Sequence, residues 1–202
     1  MGWHLESREN DFARTLAAAD KAIELGPDLA DGYAARGYVR LLKTTDWSGA
    51  QADLARALAL NPGNTDAIGS QGDLLATLGR LPEAIATLRR ATELDPLSVH
   101  AAWRLAWFHL GAGHVEEARD IARRTLELFP EHAGTARTLG FALLLEGRLD
   151  EAQAAFHRSS SEPFREMGTA LVEHARRTRA RIAAGARPPH CDIGKGIDVS
   201  DR

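Results

Sequence analysis

The stretch Gly63 to Pro96, GNTDAIGSQGDLLATLGRLPEAIATLRRATELDP, decides the fold, because its length, its glycines and its closing proline return along most of the chain. Prolines at Pro27, Pro62, Pro96, Pro130 and Pro163 stand 35, 34, 34 and 33 residues apart. A fixed period in that range marks stacked units rather than one globular core. Other residues keep the same phase. Gly37, Gly72, Ala106 and Gly140 share one slot, and Ala50, Ala84, Ala118 and Ala152 another. Leu54, Leu88, Ala122 and Phe156 form a third, followed by Ala57, Ala91, Thr125 and Ser159. At helical spacing the small residues let helices approach closely, and the large ones fill the space between them.

These residues resemble the tetratricopeptide repeat, a helix-turn-helix unit of about 34 residues with small residues in its first helix, Ala-x3-Phe in its second and a terminal Pro. The matching segments are GDLLATLGRLPEAIATLRRATELDP and LGFALLLEGRLDEAQAAF, and the likeness runs from about residue 30 to 163. It implies an all-α, right-handed solenoid. The chain departs from the family pattern where an aromatic is usual, with Tyr33 followed by Ile68, Ala102 and Ala136, and where Arg36 and Gln71 take a leucine slot. One extra residue in LKTTDWSGA lengthens the first turn, and Trp47 takes the apolar position held later by Leu81, Val115 and Leu149.

The expected organisation is an N-terminal half-repeat or cap over 1–29 and four repeats at about 30–64, 65–98, 99–132 and 133–163. A capping helix over 164–185 and a disordered tail over 186–202 follow. NDFARTLAAADKAIELGP reads as the second helix of a unit, with only MGWHLESRE before it. Either the chain is a piece of a longer protein, or a shortened helix caps the stack, as solenoids require. This opening, with DWSGAQADLARALALNPGN, looks like the arrays attached to bacterial signalling and transcription-regulator domains. In the turn clusters NPGN and LDPLS, proline stops one helix while Asn64 or Ser98 caps the next. Acids near the helix starts, such as Asp66, Glu83 and Glu116, suit the macrodipole, so no catalysis is assigned to them. Beyond Pro163, the residues Phe164, Met167, Leu171, Ala175, Thr178 and Ile182 form a stripe at helical spacing that should cover the last repeat, leaving Arg176, Arg177, Arg179 and Arg181 on a solvated face.

Composition sets further bounds. A net charge of −3 and a pI near 6.2 argue against a nucleic-acid binder. No apolar run approaches the length of about 18 residues that a membrane helix needs, and the start of the chain does not read as a signal segment. A single cysteine, Cys191, leaves no internal disulfide framework. Together these suggest a cytoplasmic protein. His109 with His114, and the run His190, Cys191, Asp192, match no zinc spacing. The GKG at Gly194 to Gly196 lacks the surroundings of a phosphate loop. Ser159 to Ser161 have no base arranged around them in the sequence. No enzyme, metal site or cofactor is therefore expected.

In the family resembled, the inward face of the first helices lines a concave groove. Successive slots there hold Tyr38, Asp73, Trp107 and Phe141. One turn earlier lie Ala34, Gly69, Trp103 and Arg137, and one turn later Leu41, Ala76, Leu110 and Leu144. With His100 and Arg104 nearby, the third and fourth repeats offer aromatic rings beside arginines, the composition of binding hot spots. The first half of the groove carries Asp31, Asp66 and Asp73 instead. The Lys and Asn that clamp a chaperone's terminal carboxylate in some members are absent. The function expected is non-enzymatic binding of a protein segment, with Trp103, Trp107 and Phe141 giving burial and Arg104 and Arg137 orienting an acidic end. The alternative is a self-associating element of a larger protein. The competing account of Trp103 and Trp107 is that they pack between helices, or that the C-terminal helix or a second copy covers them.

Overall fold

A computed structural model of the chain describes residues 3–184, with side chains from Phe12 onward. The expectations for the tail, including His190, Cys191 and the GKG, lie outside the described residues. Ten α-helices and no strands make up the described part. Helix α1 covers Trp3–Leu25. Four helix pairs follow: α2 Ala30–Val39 with α3 Trp47–Leu60, α4 Thr65–Thr77 with α5 Leu81–Leu94, α6 Val99–Gly111 with α7 Val115–Leu128, and α8 Ala133–Leu145 with α9 Leu149–His157. A long helix, α10, covers Glu162–Ala183. Each helix packs chiefly on its neighbours in sequence, and the first helices of successive pairs also touch, which makes the assembly a right-handed solenoid.

Local chemistry explains the joints. The inter-repeat turns start the second, third and fourth pairs with a capped helix: the Asn64 side chain accepts from the Ala67 N–H at 2.8 Å, Ser98 from Ala101 at 3.3 Å, and the His132 Nδ1 from Thr135 at 3.2 Å. The turns inside the second, third and fourth pairs reverse at Gly79, Gly113 and Gly147, with φ of 77°, 80° and 72°. In the first pair the extra residue is absorbed by a π-helical turn, Arg40–Thr44, and the left-handed position falls on Thr45 at φ 51°.

Within the first, second and fourth pairs, a glycine on the first helix lets a large side chain of the second approach closely. A Cβ on Gly72 would lie 2.9 Å from Leu88, and one on Gly140 would lie 2.7 Å from Phe156. Leu54, Leu88 and Phe156 are fully enclosed there, each contributing about 1.5–3 kcal/mol of apolar burial. The departure at Arg36 has its own logic. The buried Asp53 of α3 accepts two hydrogen bonds from Arg36, at 2.9 and 2.7 Å, and one from Arg40 at 2.8 Å. Arg36 also reaches Asp20 of α1 at 3.0 Å. A paired charge cluster thus replaces the usual leucine contact and ties three helices together.

Helix α10 packs otherwise than its apolar stripe predicts. Its buried residues are Gly168 and Val172, and a Cβ on Gly168 would collide with the side chain of Phe156 on α9. Arg176 pairs with Asp150, and Arg179 donates to the Gly147 carbonyl, so part of the expected solvated face meets the last repeat. Phe164, Leu171 and Ile182 remain exposed. Close backbone approach through a glycine fixes the helix rotation here, and the larger apolar side chains turn aside.

Candidate functional site

The first helices of the repeats carry the side chains expected in the groove, and the structure sorts them into three groups. Leu41 sits inside the core with Ala50, Leu54 and Leu74, only 6% exposed. Phe141 and Leu144 pack partly buried against the last core cluster, with the Phe141 ring edge-on to Phe156 at 5.3 Å between centroids. Leu110 is half-buried and His100 exposed, its ring 5.7 Å from that of His132. Trp103 is half-buried and lies over Gly134 of α8, where a Cβ would come within 2.9 Å of the indole. Its Nε1 is enclosed without a hydrogen-bond partner among the described residues. Packing between helices therefore accounts for much of Trp103.

The second group joins α6, α8 and α10. The guanidinium of Arg137 lies 5.5 Å from the Trp107 ring and 4.3 Å from the Phe164 ring, between two aromatic faces. Trp107 is 38% exposed and Phe164 36%. Arg137 has no carboxylate partner among the described residues, its Nε is enclosed without a hydrogen bond, and burial pushes its guanidinium below the ordinary value. The Trp107 and Phe141 rings meet edge to face at 6.1 Å, which anchors the cluster to the core. Nothing in the sequence singled out Phe164 as a site residue, because the stripe that holds it was expected to face the last repeat.

The third group lies toward α2 and α4. Arg104 reaches back across Gly69, where a Cβ would stand 2.7 Å from the guanidinium, and pairs with Asp73 at 3.0 Å. The ion pair lacks an aligned hydrogen bond, so burial outweighs it and pushes the Asp73 carboxyl up to about 6. Arg104 is thus committed to the protein's own carboxylate rather than left for a partner. Beside it opens a pocket of about 440 Å³, lined by Asp31, Ala34, Ala35, Tyr38, Asp66, Ser70 and Arg104. Asp31 and Asp66 were legible as groove acids; Ser70 was not, because a serine inside a helix carries no mark of where it faces.

No helix among the described residues is long and apolar enough to cross a membrane. A profile of the tetratricopeptide repeat family matches residues 39–99, 70–133 and 104–159. No match was found among curated proteins. Among solved structures, the chain is similar to YrrB, described as a TPR protein with an unusual peptide-binding site, at 25% identity over 86% of this chain and 88% of that one, with a TM-score of 0.58. It shares its fold with TTC0263, a TPR protein of Thermus thermophilus, at 16% identity, 84% and 96% coverage and a TM-score of 0.70. The same holds for the type IV pilus biogenesis factor PilW, at 18% identity, 88% and 87% coverage and a TM-score of 0.67. Repeat period, glycine turns, helix pairing and family match agree, and the chain belongs to the tetratricopeptide repeat family.

Proposed function

We propose that this protein is a non-enzymatic interaction module that holds a segment of another protein against the face formed by α6, α8 and α10. The observation that carries the reading is the cluster of Trp107, Arg137 and Phe164. Two exposed rings offer apolar area at low entropic cost, and an arginine without a carboxylate partner among the described residues offers charge to an acidic group. The similarity to YrrB, a TPR protein described as having a peptide-binding site, supports the same use of this fold. Trp103 and Phe141 support the surface from below, and Arg104 acts through its pair with Asp73.

The test uses Trp107→Ala with Phe164→Ala, because Phe141→Ala would also open the core beside Phe156. Affinity capture from the native lysate should retain a protein on the parent and lose it on the double variant, with circular dichroism showing equal helicity. The captured protein, purified, should bind the parent at least about tenfold more tightly than the double variant, the change expected when two hot-spot rings are lost. Equal affinities would overturn the assignment of this face.

A further inference from the structure

The pocket between α2, α4 and α6 has a different chemistry from the aromatic cluster and lies on the same row of first helices. Its volume of about 440 Å³ admits a long side chain together with its flanking backbone. The charges around it do not cancel. Arg104 is neutralised by Asp73, at 3.0 Å. Asp31 accepts from the Asn64 side chain at 2.7 Å, a neutral donor that leaves its charge intact. Asp66, exposed in the first turn of α4, has no ion-pair partner among the described residues. A second observation points the same way. Ser70 is 3% exposed, lines the pocket, and its hydroxyl makes no hydrogen bond within the described residues. The Tyr38 hydroxyl, on the α2 side, is likewise without a partner there.

We infer that this pocket receives the basic side chain of a lysine or arginine in the bound segment, with Asp31 and Asp66 supplying charge, Ser70 and Tyr38 accepting hydrogen bonds, and the Tyr38 ring packing the aliphatic stem. The inference rests on the proposed function in taking the segment to be protein. It adds a polarity to it: a basic residue over α2 and α4, and an apolar and acidic end over α8 and α10. The two subsites are two first-helix spacings apart, about 20 Å at usual interaxial distances. That is the reach of about six extended residues.

Four fluorescein-labelled peptides test this by anisotropy at low salt. The first is Lys-Gly-Ser-Gly-Ser-Gly-Phe-Leu-Glu, the second its reversed sequence, and the other two replace Lys by Ser in each order. At least one Lys peptide should bind the parent about tenfold more tightly than its Ser counterpart, and Asp66→Lys should abolish that difference. Tyr38→Phe should weaken the Lys peptide alone, and raised salt should weaken the Lys peptide more than its Ser counterpart. If neither Lys peptide binds more tightly than its Ser counterpart, or if a Lys preference is undiminished by Asp66→Lys, the inference is overturned. The groove reading is tested separately. Ser peptides that bind the parent but not Trp107→Ala uphold it even when the basic pocket fails. Lys-dependent binding that survives Trp107→Ala upholds the pocket alone.

Discussion

Asp73 is a carboxylate whose proton affinity the fold raises, and the consequence is a specific pH dependence. Its folded value near 6 exceeds the value of about 3.9 in an unfolded chain. Between those values the folded protein holds more protons than the unfolded one. The stabilisation from protonated Asp73 is complete below about pH 4 and is lost as the pH rises through about 6. Asp73→Asn removes this dependence. In urea unfolding, parent stability relative to the variant should fall by up to about 3 kcal/mol between about pH 4 and pH 7. A constant difference would show that Asp73 is not desolvated as described. At Arg36 and Asp53 the geometry differs: a buried carboxylate is met by aligned donors from two arginines, and the Asp53 hydrogen bonds hold the Arg36 guanidinium above its ordinary value. Each case turns on hydrogen-bond alignment, which residue type alone does not convey.

At the level of elements, α10 depends on one glycine. Its packing brings Gly168 against Phe156 so closely that any side chain there collides with the ring. Gly168→Val should detach the helix: limited proteolysis should cut within α10, while Ala170→Val, at an exposed position of the same helix, should leave it protected. Equal protection in both would place the contact elsewhere. The repeat pairs themselves were readable because each is specified several times over, by proline, glycine and small-residue slots, and the caps at Asn64 and Ser98 followed from the same register. Three features were not. The rotation of α10 escaped because an apolar stripe shows that a helix has a sticky face without showing which neighbour uses it. The π turn at Arg40–Thr44 escaped because an extra residue can be stored in a helix or in a loop. Leu41 and Phe141 escaped because core and groove positions differ by about one residue's rotation, roughly 100°, on the same helix.

Across the whole molecule, stability is a chain of neighbour contacts, so the ends should open before the middle. Native-state hydrogen exchange should be slowest in α4 to α7, which have a full helix pair on either side. It should be at least about tenfold faster in the second half of α10, where no buried residue follows Val172 among the described residues. Uniform protection from α2 to α10 would instead indicate a single cooperative unit. The row of first helices has one further property. Each step along it is bridged by a different kind of bond: Asn64 to Asp31 between α4 and α2, Arg104 to Asp73 and over Gly69 between α6 and α4, Trp103 over Gly134 between α6 and α8, and Arg137 against Phe164 between α8 and α10. Mechanically these are the coils of a spring, and the coils do not share one stiffness. Salt screens the step held by the ion pair and leaves the step held by the indole taut, so raised ionic strength should bend the superhelix between α4 and α6 before it bends between α6 and α8.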